Sequence, residues 1–468
     1  MERPTKPISE RRCITYGTFD LYHEAHKSHL ERCREYGGYL VVAVLSDTFN
    51  IGRGKSFMRQ SLVERIENVR RSGLADKIVI EAYDGKINDV LRYDIDVVVV
   101  CEDWQGPDDY TLNLEKYCEV VRLERRGFDP SGAPISSTLL RGTVRIGVIG
   151  SIASALAFSR NVKETKGGGI LAAVLAKPAN GEDKTSEDSL PICHSEREFW
   201  DLVDAVYVCT TVSERASTIL DSLAAGKHVF CETPFDSSVA AIDKCYETAI
   251  EKQLVLLPAL PSAFLPGMER LVAVAQNGKI GRILSISLSL SYSREEDNTP
   301  AFVHNDAKIH LATEALLPII RMLPRREIQE VRLKTLTDTR SKTETTYIDL
   351  SLSDSSASII IGENLILPES LHVIGTEGFI TTTQPWNELA DFQLNFKEVN
   401  FEEASKIQRF QVPTRRGCFR FDLAEFLAMV NSGRRSGFAF TRESAVAVAG
   451  VVERAFGGEE GLGKRKRT

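Results

Sequence analysis

Val97–Val100 is four valines in a row, with no polar residue between them. A strand of that kind is buried on both faces, as strands are inside a parallel sheet covered by helices. Related runs recur along the first third of the chain. Residues 12–16, 39–46, 77–82, 95–101 and 118–123 read as strands, and 22–36, 61–72 and 110–117 carry helical spacing. Such alternation predicts an α/β fold with a doubly wound parallel sheet, whose ligands sit at the carboxyl ends of the strands. The pattern starts afresh with "GTVRIGVIGSIASA" at 143. It continues through strands at 170–176, 204–209, 228–232 and 254–259 and helices at 214–225 and 237–251, a second, Rossmann-like unit. From about 280 the period changes to two, in "RILSISLSLSYS" and "TYIDLSLSDSSASIII", as in antiparallel strands with one wet face. Helices near 420–431 and 441–455 close an open-faced α+β domain. The expected boundaries are 1–10 for a disordered lead-in, 11–142, 143–278 and 279–456 for three domains, and 457–468 for a basic tail.

With 468 residues the chain exceeds one ordinary core. A net charge of −7 argues against a general nucleic-acid binder, so basic residues should act locally on anions. Nine cysteines are scattered without C-x-x-C spacing, which points to buried thiols in a reducing, cytoplasmic compartment and to no zinc site. No window is long and apolar enough for a membrane span.

Between the first strand and the first helix lies Gly17-Thr-Phe-Asp-Leu-Tyr-His-Glu-Ala-His26. His23 and His26 are three apart and share a face of the helix's first turn. Two imidazoles at a helix N-terminus, beside a glycine turn, suit a phosphate group. "ITYGTFDLYHEAH" resembles the His-x-Gly-His signature of the nucleotidyltransferase superfamily, above all the glycerol-3-phosphate cytidylyltransferases. The likeness runs on through "YLVVAVLSDTFN" (39–50), "IDVVVVCEDWQG" (95–106), "CEVVRLERRG" (118–127) and "ISSTLLRG" (135–142). One departure falls inside the signature, where Ala25 replaces the glycine, the smallest change available.

The resemblance implies CTP and a small phosphorylated alcohol as substrates, with Mg²⁺. It places His23, His26, Lys55 and Arg65 in catalysis. Gly17, Thr18, Phe19, Asp103, Arg125, Ile135, Ser136, Ser137 and Thr138 fall at nucleotide positions, and Arg53 and Lys86 at the acceptor. An insertion, "GFDPSGAP", separates Arg125 from the hydroxyls. Glu102-Asp103-Trp104 resembles the Asp-Asp-Trp of the glycerol-phosphate enzymes and so favours glycerol 3-phosphate.

The second half carries "DAVYVCTTVSERASTILDSLAAGKHVFCETPFD" at 204–236 and Asp306-Ala-Lys-Ile-His310. Both resemble the glucose–fructose oxidoreductase and inositol dehydrogenase family. The dinucleotide fingerprint is broken, because Gly150-Ser-Ile152-Ala-Ser-Ala155 puts a branched side chain where the backbone must approach a pyrophosphate. Ala176-Lys177 stands where a ribose-binding carboxylate is expected, and Thr233 replaces the lysine of Glu-Lys-Pro. Asp306 and His310 remain. NAD(P) is therefore not expected. The leading expectation is a CTP-dependent cytidylyltransferase with a degenerate oxidoreductase-like half and no nucleic-acid or membrane partner. Two other readings stay open: a bifunctional enzyme with an active NAD(P)-dependent half, and a non-catalytic nucleotide-binding scaffold. A homodimer is also open.

Overall fold

A computed structural model of the chain describes residues 6–46, 50, 58–81, 86–102, 114–124, 143–165, 168–176, 190–234, 236, 238–293, 306–324, 327–382, 385–386, 391–396, 407–411, 419–437 and 439–457. The chain divides into two compact units, Met1–Thr143 and Val144–Thr468. Among the described residues no helix is long and apolar enough to cross a membrane.

The first unit runs β1 (Arg12–Gly17), α1 (Glu24–Cys33), β2 (Tyr39–Leu45), α2 (Leu62–Arg71), β3 (Lys77–Glu81), α3 (Lys86–Arg92), β4 (Val97–Cys101) and β5 (Glu119–Leu123). The strands form one sheet in the order β3-β2-β1-β4-β5, every pair parallel. The valine run explains itself here. Val97 and Val99 pack with Leu30, Cys33 and Val69 on one face, and Val98 and Val100 with Val90 and Ile95 on the other. Strand order reverses between β1 and β4, so Gly17 and Cys101 end side-by-side strands at the crevice where such sheets take ligands.

Two expectations change. The lead-in is built into the unit over residues 6–10. Ile8–Glu10 forms a turn of 3₁₀ helix, Gly38 N–H donates to Ile8 O at 2.8 Å, and the Lys6 ammonium meets Asp96 at 2.9 Å. Those partners lie far along the sequence, which is why a polar, proline-containing start read as loose. The short helix α3 also escaped the periodicity, because seven residues complete only two turns.

In the second unit β6 (Val144–Gly150), β7 (Gly169–Ala176), β8 (Ala205–Cys209), β9 (His228–Glu232) and β10 (Leu256–Ala259) form a parallel sheet in the order β10-β9-β8-β6-β7. Eight further strands, β11 (Ile283–Tyr292), β12 (Ile328–Asp338), β13 (Thr343–Leu352), β14 (Ser356–Glu363), β15 (Leu371–Gly375), β16 (Gly378–Thr382), β17 (Asp391–Phe396) and β18 (Ile407–Gln411), make a mixed sheet in which only β11 and β14 pair in parallel. One continuous apolar core joins the two sheets. The chain's return explains this, because the helix Phe419–Ser432 goes back to the parallel sheet and sets the Phe419 ring against Phe158, Tyr207 and Phe230.

Candidate functional site

The turn from β1 into α1 is strained. Phe19 and Leu21 both hold positive φ, 53° and 50°, a region that side chains other than glycine rarely occupy. Gly17 is required at its start, since a Cβ there would lie 2.7 Å from the Phe19 ring. Contacts from distant segments hold the turn in place. The Asp20 carboxylate accepts the N–H groups of Arg59 (3.2 Å) and Gln60 (3.1 Å), and Leu21 N–H donates to the Gln60 side-chain oxygen at 2.8 Å.

The firmest hold comes from α2. Ser61 caps this helix and Glu64 returns a bond to the Ser61 N–H, a capping box that fixes where the helix starts. Arg65 then faces inward with none of its surface exposed. Its guanidinium donates to the carbonyls of Thr18 (2.8 Å), Leu45 (2.8 Å) and Gln60 (3.2 Å). The resemblance puts Arg65 among the catalytic groups. Here its donors lie on main-chain carbonyls of three segments, so it acts on the turn.

The turn delivers the two histidines. His23 stands at the N-cap of α1, and its ring stacks on that of His26 with centroids 3.9 Å apart. Phe19 and Tyr22 flank His26 at 5.4 and 5.7 Å. The His23 N–H donates to His26 Nδ1 at 3.4 Å. In that bond Nδ1 is the acceptor, which in a neutral imidazole leaves the proton on Nε2. Two rings in face-to-face contact resist carrying two positive charges unless an anion lies between or beside them.

Lys86 has a different neighbourhood from an open acceptor site. It is buried, with its ammonium 2.7 Å from an equally buried Glu81 carboxylate and 4.7 Å from the centre of the Tyr16 ring. An acceptor phosphate would reach it only by replacing Glu81. Arg53, Lys55, Asp103, Arg125, Ile135, Ser136, Ser137 and Thr138 lie outside the described residues.

Sequence reasoning passed over four residues at the site. Asp20 and Gln60 clasp the turn. Asn50 accepts the Thr18 hydroxyl at 2.9 Å. His29 meets the Thr15 hydroxyl at 2.8 Å and lies within 3.7 Å of the Cys33 and Cys101 sulfurs. Burial pushes the Cys33 thiol well up, so at neutral pH it is a neutral thiol rather than a nucleophile. Asp20 stood inside the quoted signature, and Asn50 opens "NIGRGKSF", but nothing local marked either as a tie between segments.

At the corresponding place in the second unit, β6 and β8 end in register at Gly150 and Cys209. A Cβ on Gly150 would lie 2.3 Å from the Cys209 sulfur, so this glycine is held by packing alone. Ile152 opens the helix Ile152–Glu164, and the Ser151 hydroxyl takes the Ser154 N–H at 3.1 Å. The Ser154 N–H is thus bonded within the helix cap, and Ser151 and Ser154 are both buried. The strand β7 ends on Ala176, which offers no carboxylate to a ribose. The Thr233 hydroxyl donates to Ala259 O at 3.0 Å, and His310 Nδ1 donates to Thr233 O at 2.8 Å. Asp306 begins the helix that carries His310.

Comparison with known proteins divides the chain in the same way. Residues 14–143 match the Cytidylyltransferase-like family model, and residues 144–260 match the model described as Oxidoreductase family, NAD-binding Rossmann fold. Glycerol-3-phosphate cytidylyltransferase of Bacillus subtilis is 38% identical over 120 residues, which span 25% of this chain and 87% of that protein. Myo-inositol 2-dehydrogenase of Thermotoga maritima is 30% identical over 80 residues, 17% of this chain and 24% of that protein. A crystal structure of a 3-ketoreductase from Actinomadura kijaniata, in complex with NADP and TDP-benzene, matches with a TM-score of 0.53 at 16% identity, covering 68% of this chain and 98% of the other. That likeness is one of fold.

The Arg65 contacts generate the first test. Arg65→Ala takes one donor from each of three main-chain carbonyls, of which Leu45 O keeps the Asn50 amide, at about 1–3 kcal/mol for each bond lost. Loss of at least about 3 kcal/mol of stability is expected by denaturant titration, with Arg65→Lys between the two because an ammonium cannot span three acceptors. An Arg65→Ala variant as stable as the parent but slow in catalysis would show instead a group that serves substrate.

Proposed function

Because the chain belongs through its first unit to the cytidylyltransferase-like family, we propose that this unit transfers a cytidylyl group from CTP to a small phosphorylated alcohol, glycerol 3-phosphate first among them, and releases pyrophosphate. The observation that carries the proposal is the stacked pair His23 and His26 at the N-terminus of α1, set over the Gly17 turn at the point where strand order reverses.

The chemistry follows from those groups. A phosphate oxygen of the acceptor attacks the α-phosphorus. The new P–O bond forms as the bond to the β-phosphate breaks, and pyrophosphate leaves with the electron pair. The protein must hold two anions in line and offset charge that grows on the leaving oxygens. His26 Nε2–H is placed to donate there, while Nδ1 is held by the His23 N–H. A protonated Nε2 has no lone pair with which to attack phosphorus, and this supports direct transfer over a cytidylyl-enzyme. Among the described residues no group of three or more His, Cys, Asp or Glu side chains could hold a metal ion. Mg²⁺ is assigned to the triphosphate, as part of the substrate it accompanies. Arg53 is assigned to the acceptor phosphate, and Lys55, with Asp103, Arg125 and the 135–138 hydroxyls, to the nucleotide.

The second unit is an oxidoreductase domain by family and fold, and we propose that it does not turn over NAD(P). The self-capped helix at Ser151 and the closed Thr233–His310 pair support that reading.

Two measurements follow. With CTP and glycerol 3-phosphate the chain is expected to release pyrophosphate, and His26→Ala to lower kcat by at least about 10²-fold, the low end for loss of a charge-stabilising donor. Near-parental turnover by a folded His26→Ala variant sinks the mechanism. Calorimetric titration with NAD(H) and NADP(H) is expected to give no saturable heat at micromolar concentration. A saturating isotherm, or NADH oxidation with a keto-phosphate, would make the protein bifunctional.

A further inference from the structure

We infer that Asn50 is a positioning residue for the transfer, tying the phosphate turn to the root of the segment that carries Arg53 and Lys55. The inference rests on the transferase reading of the first unit. Asn50 has none of its surface exposed. Its Oδ1 accepts from the Thr18 hydroxyl at 2.9 Å, 32 residues away. Its Nδ2 donates to the carbonyls of Leu45 (3.2 Å) and Ser46 (3.1 Å), and its own N–H donates to Ser46 O at 3.0 Å.

The amide orientation is fixed by its neighbours. Carbonyl oxygens only accept, so the NH₂ must face Leu45 and Ser46, and the oxygen is left for the hydroxyl. No other side chain of this size matches the set. Aspartate would set an anionic oxygen against two carbonyls, and leucine would remove the Oδ1 acceptor of the Thr18 hydroxyl and one donor each from Leu45 O and Ser46 O.

Asn50 also completes the hold of Arg65. Leu45 O accepts from both Asn50 Nδ2 and the Arg65 guanidinium, and Thr18 is held by its carbonyl to Arg65 and by its hydroxyl to Asn50. Thr18 and the end of β2 are thus clamped twice, from α2 and from Asn50. Arg53 and Lys55 follow Asn50 by three and five residues in the sequence. The residue that anchors the triphosphate turn is therefore the one from which the basic segment departs. A small shift of the Thr18 turn moves the histidines that follow it, and misplacement of that order costs rate as well as affinity.

The test uses the full chain and its Asn50→Asp, Asn50→Ala, Thr18→Val and Asn50→Ala/Thr18→Val variants. Calorimetry gives Kd for CTP, steady-state kinetics give KM for CTP and for glycerol 3-phosphate, and thermal melts confirm that each variant is folded at the assay temperature. Folded Asn50→Asp is expected to raise Kd for CTP at least about tenfold, the effect of a lost buried hydrogen-bond set, and to raise KM for the acceptor as well. The double variant is expected to be no weaker for CTP than Asn50→Ala alone, because one link is lost only once. Should Asn50→Asp fail to fold, Asn50→Ala, which buries no charge, carries the same comparison. Folded Asn50 variants with parental Kd and KM, or additive losses in the double variant, overturn the inference and leave the transferase reading intact. A parent chain that neither binds CTP nor releases pyrophosphate overturns both.

Discussion

The candidate site of the first unit depends on one buried cation. The Arg65 guanidinium joins the Thr18 turn, the end of β2 and the entry to α2, extending the β1–β2 ladder that ends at Gly17 and Val44. A turn with two side-chain-bearing residues at positive φ does not persist by its own preferences, since each such residue costs on the order of 1–3 kcal/mol. Charge-assisted bonds to buried carbonyls are strong enough to offset that. The order of causes can be followed along the chain. A capping box at Ser61 and Glu64 sets the start of α2, that start turns Arg65 inward, Arg65 fixes the turn, and the turn fixes where the imidazoles of His23 and His26 stack.

Much of this was legible in the sequence, and the reason differs by element. Val97–Val100 announced a strand buried on both faces, because burial on two sides leaves no room for alternation. The His23 and His26 pair announced a helix start, because a cap and its first turn are local features. Local patterns do not show ties between residues 32 or 47 positions apart, such as Thr18 to Asn50 and Thr18 to Arg65. Arg65 was therefore read for its charge and not for its burial. Lys86 was read the same way, and the Glu81 carboxylate that meets it five residues earlier went unnoticed. The ordering of residues 6–10 failed for a related reason, since its partners Gly38 and Asp96 lie elsewhere in the chain.

In the second unit, packing and internal hydrogen bonds shape the crevice at the ends of β6 and β8. Gly150 persists because the Cys209 sulfur leaves no space for a Cβ, whether or not a dinucleotide ever approaches. Ile152 and Thr233 face no such constraint and depart from the fingerprint, and the polar groups around them bond to one another: Ser151 to Ser154, Thr233 to Ala259, His310 to Thr233. The core beneath this crevice remains continuous through both sheets.

The central claim is that the first unit transfers the cytidylyl group directly, with His26 Nε2 as a proton-bearing donor. Isotope exchange between labelled pyrophosphate and CTP tests it most directly. The account predicts no exchange with the chain and CTP alone, and label entering CTP once the CDP-alcohol product is supplied to reverse the reaction. Exchange without that product would show a covalent cytidylyl-enzyme and contradict direct transfer. No exchange under either condition would contradict the transferase itself.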